Sequence, residues 1–145
     1  MRGRRRVYLV DTNVISEARK GVRANAGVRA FFAAAIADRA RLYLSAVTVG
    51  ELRRGVELIR HRGDQIQADL LEAWLTIVLR DYADQILALD IDVAQIWGRL
   101  RVPHPEHSMD KQLTATALIY DLTLVTRNLA DFAGIDVRLL NPFSA

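Results

Sequence analysis

Apolar positions along this chain follow two rhythms. Short unbroken runs at residues 7–10, 42–45, 86–89, 123–126 and 137–140 are too brief for buried helices and predict strands. Between them lie longer stretches with helical spacing, near residues 14–19, 28–37, 49–60, 65–79, 93–101 and 109–120. In the fourth of these, Ile66, Leu70, Leu71, Trp74, Leu75 and Val78 form one stripe, expected to be core or partner surface. Asp92 is placed to cap the fifth helix, and Thr48 with Glu51 matches a capping box at the start of the third. Strands alternating with helices predict a parallel five-stranded sheet flanked by helices, an α/β/α, Rossmann-like arrangement.

The first strand stops abruptly at an acid, Asp11, followed by Thr12 and Asn13. Such residues are ordinary turn formers, so this acid taken alone implies nothing more. In an open parallel sheet, however, ligands bind at the strands' carboxyl edge, beside the point where strand order reverses. Glu51 lies near the start of the helix after strand two, Asp110 in the first turn of the helix leading into strand four, and Asp131 in the loop after strand four. Each has a plain structural role available: a cap for Glu51, a helix-dipole partner for Asp110, a loop position for Asp131 beside Phe132 as anchor. Four segments nonetheless bring an acid to one rim, and like charges at about 4 Å repel by roughly 1–4 kcal/mol per pair in effective dielectrics of 80 to 20. Hard oxygen donors without His or Cys suit magnesium or manganese, which points to phosphate chemistry.

Composition narrows the classes. A chain of 145 residues with 51% hydrophobic content and net charge +3 is expected to fold as one domain, residues 1–145, rather than stay disordered. Twenty basic residues nearly balance 17 acidic ones, so the pI near 9.7 permits a polyanion partner without requiring it. Residues 1–6, rich in arginine, read as a basic, disordered tail. The apolar run behind them is too short for a signal peptide, and no run approaches the length of a membrane span, so a cytoplasmic protein without membrane contact is expected. With no cysteine, disulfides, thiolate catalysis and sulfur-ligated zinc are excluded. His104 and His107 in "HPEH" offer a zinc spacing, but the prolines favour a rigid loop approaching the last helix.

The segments "YLVDTNVISE", "LYLSAVTVGELRRGVE", "MDKQLTATAL" and "LTLVTRNLADFAGIDVRLLNPF" together resemble the PIN-domain ribonucleases, specifically the VapC and FitB toxins of toxin–antitoxin modules. The likeness covers nearly the whole chain and is weakest between about residues 60 and 84. It implies the PIN fold and a magnesium-dependent endoribonuclease, with manganese as a substitute ion. By resemblance Asp11 and Asp110 hold the metal, while Glu51 and Asp131 complete the catalytic site directly or through water. Asn13, Thr126 and Asn128 match polar residues that orient acids or water; other branches of the family carry the fourth acid nearer the position of Asn128. The resemblance further implies RNA as substrate, cleaved to a 5′-phosphate and a 3′-hydroxyl. It implies a VapB-like antitoxin as partner, and a homodimer able to join a larger toxin–antitoxin assembly. Exposed apolar residues beside Arg53, Arg54 and Arg60 are expected to form the antitoxin groove. One departure is visible: relatives commonly have small or apolar residues after the third acid, where this chain has Lys111 and Gln112. Lys111 reads as an exposed helix lysine or as a contact to an RNA phosphate.

Two other readings compete. "DTNV" after strand one approaches the D-x-D-x-T/V signature of haloacid-dehalogenase-type phosphatases, but Asn13 replaces the second aspartate. A non-catalytic module that keeps the fold and binds antitoxin or nucleic acid would share the same acids. Magnesium-dependent cleavage separates it from the enzyme.

Overall fold

A computed structural model describes residues 6–144. The basic stretch 1–5 therefore lies outside the described residues, and of the tail only Arg6 is seen, its exposed guanidinium 3.9 Å from the Asp38 carboxylate. Among the described residues five strands are present: β1 (Val7–Val10), β2 (Arg41–Ser45), β3 (Ile86–Leu87), β4 (Thr123–Val125) and β5 (Leu139–Leu140). They form one sheet in the order β3-β2-β1-β4-β5, every neighbouring pair parallel. Six helices connect them: α1 (Thr12–Ala18), α2 (Ala26–Ala37), α3 (Ala46–His61), α4 (Gln65–Asp81), α5 (Ile91–Leu100) and α6 (Ser108–Tyr120). The expected α/β/α architecture is thus present. Among the described residues no helix is long and apolar enough to cross a membrane.

Both sheet faces are covered, which is why the strands read as unbroken apolar runs rather than as alternating ones. Successive residues still point to opposite sides. Val10, Leu44 and Val125 join one core with Val14 and Ile15 of α1, Val28 of α2, Leu52 and Val56 of α3, and Leu75 and Val78 of α4. Leu9 and Leu124 join a second core on the other face, with Leu113 and Ala117 of α6 and Phe132. The α4 stripe divides in two. Leu75 and Val78 are buried and Leu71 and Trp74 half-buried against the core, whereas Ile66 and Leu70 remain 79% and 63% exposed.

Three helix starts differ from the sequence reading. Helix α3 begins at Ala46 without an intervening loop, because the Ser45 hydroxyl accepts from the Val47 amide at 3.0 Å and caps it. Thr48 consequently lies inside the first turn, fully buried with its hydroxyl unpartnered, and the Thr48–Glu51 capping box does not form. Helix α5 is capped by Asp90, whose carboxylate accepts from the Val93 amide at 2.9 Å; Asp92 sits in its first turn. Helix α1 starts at Thr12, directly after Asp11. Strands β3, β4 and β5 are also shorter than the apolar runs that announced them.

The C-terminal segment is fastened to α2. The Asn25 carboxamide accepts from the Ser144 amide at 2.9 Å and donates to the Ser144 carbonyl at 3.1 Å, while also capping α2. Gly27 allows this approach: a Cβ there would stand 2.6 Å from the Ser144 amide nitrogen and closer still to the Pro142 carbonyl. Gly27→Ala, normally favourable inside a helix by about 1 kcal/mol, is therefore expected to destabilise by about 1–3 kcal/mol through overpacking against backbone. Urea unfolding of wild type and variant reads the sign, and a more stable variant would mean that the segment does not pack here.

Candidate metal centre

The reversal of strand order places β1 between β2 and β4, so the chain leaves β1 toward one side and reaches β4 on the other. Asp11 stands at that division. Its amide donates to the Val125 carbonyl at 2.9 Å, continuing the β1–β4 ladder one residue beyond the strand. Asp11 is 6% exposed, and both of its carboxylate oxygens accept hydrogen bonds. Oδ1 accepts from the Thr12 amide at 2.7 Å, and Oδ2 accepts from the Thr126 hydroxyl at 2.8 Å and more loosely from Asn13 Nδ2 at 3.4 Å. Asp11 is thus both a helix cap and a buried acid. Burial pushes its pKa above the usual carboxylate value, against the lowering effect of Thr126 and Thr12, and nearby Asp131 and Glu51 push it the same way as burial.

Asp110 reaches the same place from the first turn of α6, one-quarter exposed. Burial, with the charges of Asp11 and Asp131, raises its pKa from 3.8 to about 6, partly opposed by His107. Asp131 comes from a 3₁₀ turn, Leu129–Phe132, anchored by Phe132 at 1% exposure. Glu51, in the second turn of α3, lines a cleft of ≈ 360 Å³ together with Asp11, Asn13, Asp110 and Asn128. Thr126 is fully buried beneath Asp11, and its hydroxyl also accepts from the Asn128 amide at 3.2 Å, while Asn13 Oδ1 accepts from the Arg127 amide at 3.2 Å. The four acids and three polar residues singled out from the sequence therefore share one neighbourhood. The tightest grouping, however, is Asp110, Asp131 and His107, one ligand atom from each lying within 4.8 Å of the others. His107 escaped the sequence reading, which weighed it only together with His104; His104 is 79% exposed and belongs to no such group among the described residues.

Lys111 overturns both of its expected roles. It is 8% exposed, and its ammonium donates to the His104 carbonyl rather than facing solvent or the cleft. Among the described residues none of the four acids forms an ion pair with Lys or Arg; only His107 stands against one of them, 3.7 Å from Asp110, and Asp11 and Asp110 are both shifted toward the protonated form. A donor set of carboxylates in an open cleft, one of them buried and rigidly held, fits a hard divalent ion.

Three comparisons bear on this arrangement. The PIN domain family model matches residues 8–137. Toxin FitB of Neisseria gonorrhoeae is 35% identical over 143 residues, spanning 94% of this chain and 99% of that protein. VapC ribonuclease Y4jK of Sinorhizobium fredii is 29% identical over 143 residues, spanning 94% and 98%. The crystal structure of FitAcB from Neisseria gonorrhoeae superposes with a TM-score of 0.79 at 34% identity, covering 94% of this chain and 97% of that one.

The raised pKa of Asp110 has a defined sign in stability. The folded state favours the protonated acid, so in chelator its stabilisation is complete below pH 3.8 and is lost as pH rises through about 6. Subtracting the melting curve of Asp110→Asn from that of wild type isolates this effect from other carboxylates, such as Glu57, which arginines stabilise in the charged form. The difference is expected to fall as pH rises from 3.8 through about 6 and to level off above. A difference independent of pH would mean that neither burial nor the acidic neighbours raise the pKa of Asp110.

Proposed function

Because this chain belongs to the PIN-domain family, we propose that it is the toxin of a toxin–antitoxin module and acts as a divalent-metal-dependent endoribonuclease. The observation that carries this reading is the set of acids, without Lys or Arg partners among the described residues, gathered around a buried carboxylate where the sheet divides. The names of its relatives, a toxin and a ribonuclease, support it.

Asp11 and Asp110 hold the ion, magnesium with manganese as substitute. When bound, the ion supplies positive charge to the phosphoryl oxygens and makes a water molecule more acidic. The protein's own part is placement. Thr126 and the Thr12 amide fix the Asp11 carboxylate so that it does not reorganise during reaction. Glu51 and Asp131, half-buried on either side, orient the attacking water and accept its proton. Asn13 ties Asp11 to the backbone at Arg127, and Asn128 sits at the cleft wall within reach of substrate. The water oxygen bonds to phosphorus while the bond to the 3′-oxygen breaks; that oxygen takes up a proton, leaving a 3′-hydroxyl and a 5′-phosphate.

The antitoxin has a groove of ≈ 290 Å³ available between α1, α3 and α4, lined mainly by Leu52, Val56, Leu71 and Trp74. Arg19 lines it, and of the three arginines expected beside it Arg54 is exposed and forms no ion pair among the described residues. Arg53 and Arg60 are paired with Glu57 of α3 and Glu72 of α4, at 2.8–3.2 Å. Thr12 and Glu51 line both this groove and the acidic cleft, so a VapB-like segment seated in the groove ends beside the catalytic acids. Two copies pair through helical faces such as that of Ile66 and Leu70, which stay exposed on α4.

With purified protein, RNA cleavage is expected to require magnesium and to stop in chelator. Asp110→Asn should weaken metal binding at least about 10–100-fold, a range taken from lost support of metal ligands, while folding survives. Undiminished cleavage in chelator would overturn the reading in favour of a contaminating or metal-free activity. A protein that binds metal but never cleaves RNA would favour the non-catalytic module.

Glu51→Gln tests one role separately. Since no capping box forms, its stability should change by no more than about 0.5 kcal/mol, while the cleavage rate falls by about 100-fold or more, the low end for loss of a general base. A variant as active as wild type would remove Glu51 from the mechanism.

A further inference from the structure

We infer that His107 is a nitrogen ligand to the metal ion and that Lys111 is the residue that positions it. The inference rests on the metal-site reading above and adds to it a donor of a different chemical kind. Ligand atoms sharing an octahedral ion at 2.0–2.1 Å stand about 2.9 Å apart when adjacent and about 4.2 Å apart when opposite. His107 Nδ1 lies 3.7 Å from Asp110 Oδ2, and one atom each of His107, Asp110 and Asp131 falls within 4.8 Å of the other two. Small side-chain adjustments therefore bring all three onto one ion.

The imidazole is delivered by a loop gripped at both ends. Lys111, buried in α6, donates from its ammonium to the His104 carbonyl, and Trp97 of α5 donates from its indole to the Ser108 carbonyl at 3.0 Å. Between these two points His107 adopts a left-handed backbone, φ 54° and ψ 46°, uncommon for a residue with a Cβ. A buried lysine spent on a backbone carbonyl beside an acidic cluster is not neutralising that cluster; it holds the loop that carries the histidine. Imidazole suits transition ions better than magnesium, so the site prefers manganese over magnesium beyond what carboxylates alone would give.

The probe is Mn(II) added to the full-length protein, observed by pulsed electron paramagnetic resonance for coupling to an imidazole ¹⁴N, with affinity read by competition against Mg(II). Wild type is expected to show the coupling. In His107→Gly, which the left-handed backbone accommodates without strain, the coupling should vanish, and Mn(II) affinity should fall at least about tenfold while Mg(II) affinity changes little. Free imidazole should restore the signal. Lys111→Met should weaken the coupling with Mn(II) still bound, an effect that lost stability alone would not produce. Mn(II) bound to wild type without nitrogen coupling, or coupling that survives in His107→Gly, overturns the inference and leaves the carboxylate site intact. An unchanged coupling in Lys111→Met overturns the role of Lys111. A wild type that binds neither ion overturns this inference and the metal-site reading together.

Discussion

The hydrogen bond from the Thr126 hydroxyl to the Asp11 carboxylate, 2.8 Å long and buried, joins the ends of β1 and β4 where the sheet divides. Strand order forces that division. With β2 on one side of β1 and β4 on the other, the crossover helices leave in opposite directions and open a crevice at the carboxyl edge. An acid at the end of β1 must either lie in that crevice or be satisfied locally, and Asp11 does both by capping α1 and accepting from Thr126. Helices α3 and α6 begin at the same edge because each follows or feeds a neighbouring strand, so their first two turns carry Glu51 and Asp110 to the same point.

This arrangement sets electrostatics against packing. Burial first, and the surrounding carboxylates second, push Asp11 and Asp110 upward, so holding these acids charged destabilises the folded chain. What resists the repulsion is the apolar packing directly beneath it. Val10 and Val125 are fully buried, Phe132 anchors the turn bearing Asp131, and α6 places Leu113 and Ala117 against the second core. The rim is polar and strained in charge while the layer below is apolar and rigid, as preorganisation of a charged site requires.

Much of this was legible from residue order alone. The apolar runs located all five strands, and a parallel sheet with its acids at one edge followed from the alternation of elements and from where strands end. Local chemistry decided what was misread. Ser45 ends a strand and caps a helix at once, so Thr48, one turn later, looked like the cap although it lies buried within the helix. Asp90 and Asp92 are both plausible caps two residues apart, and only backbone geometry separates them. Lys111 is charged in a helix, and charge alone implies solvent; nothing in the sequence says that a carbonyl of the preceding loop waits for it. His107 was hidden by its partner choice, because metal spacing in sequence pairs it with His104, whereas the fold pairs it with acids 3 and 24 positions away.

The chain contains two tryptophans, and the fold gives each a separate post. Trp74 lines the apolar groove between α1, α3 and α4, while Trp97 donates to the Ser108 carbonyl beneath the Arg101 guanidinium, which lies 4.8 Å from its ring centroid. The molecule thus carries two intrinsic optical reporters. The emission of Trp74 follows whatever dries the groove, and that of Trp97 follows the loop bearing His107. Replacing either with phenylalanine leaves a single-colour instrument for watching one event without the other.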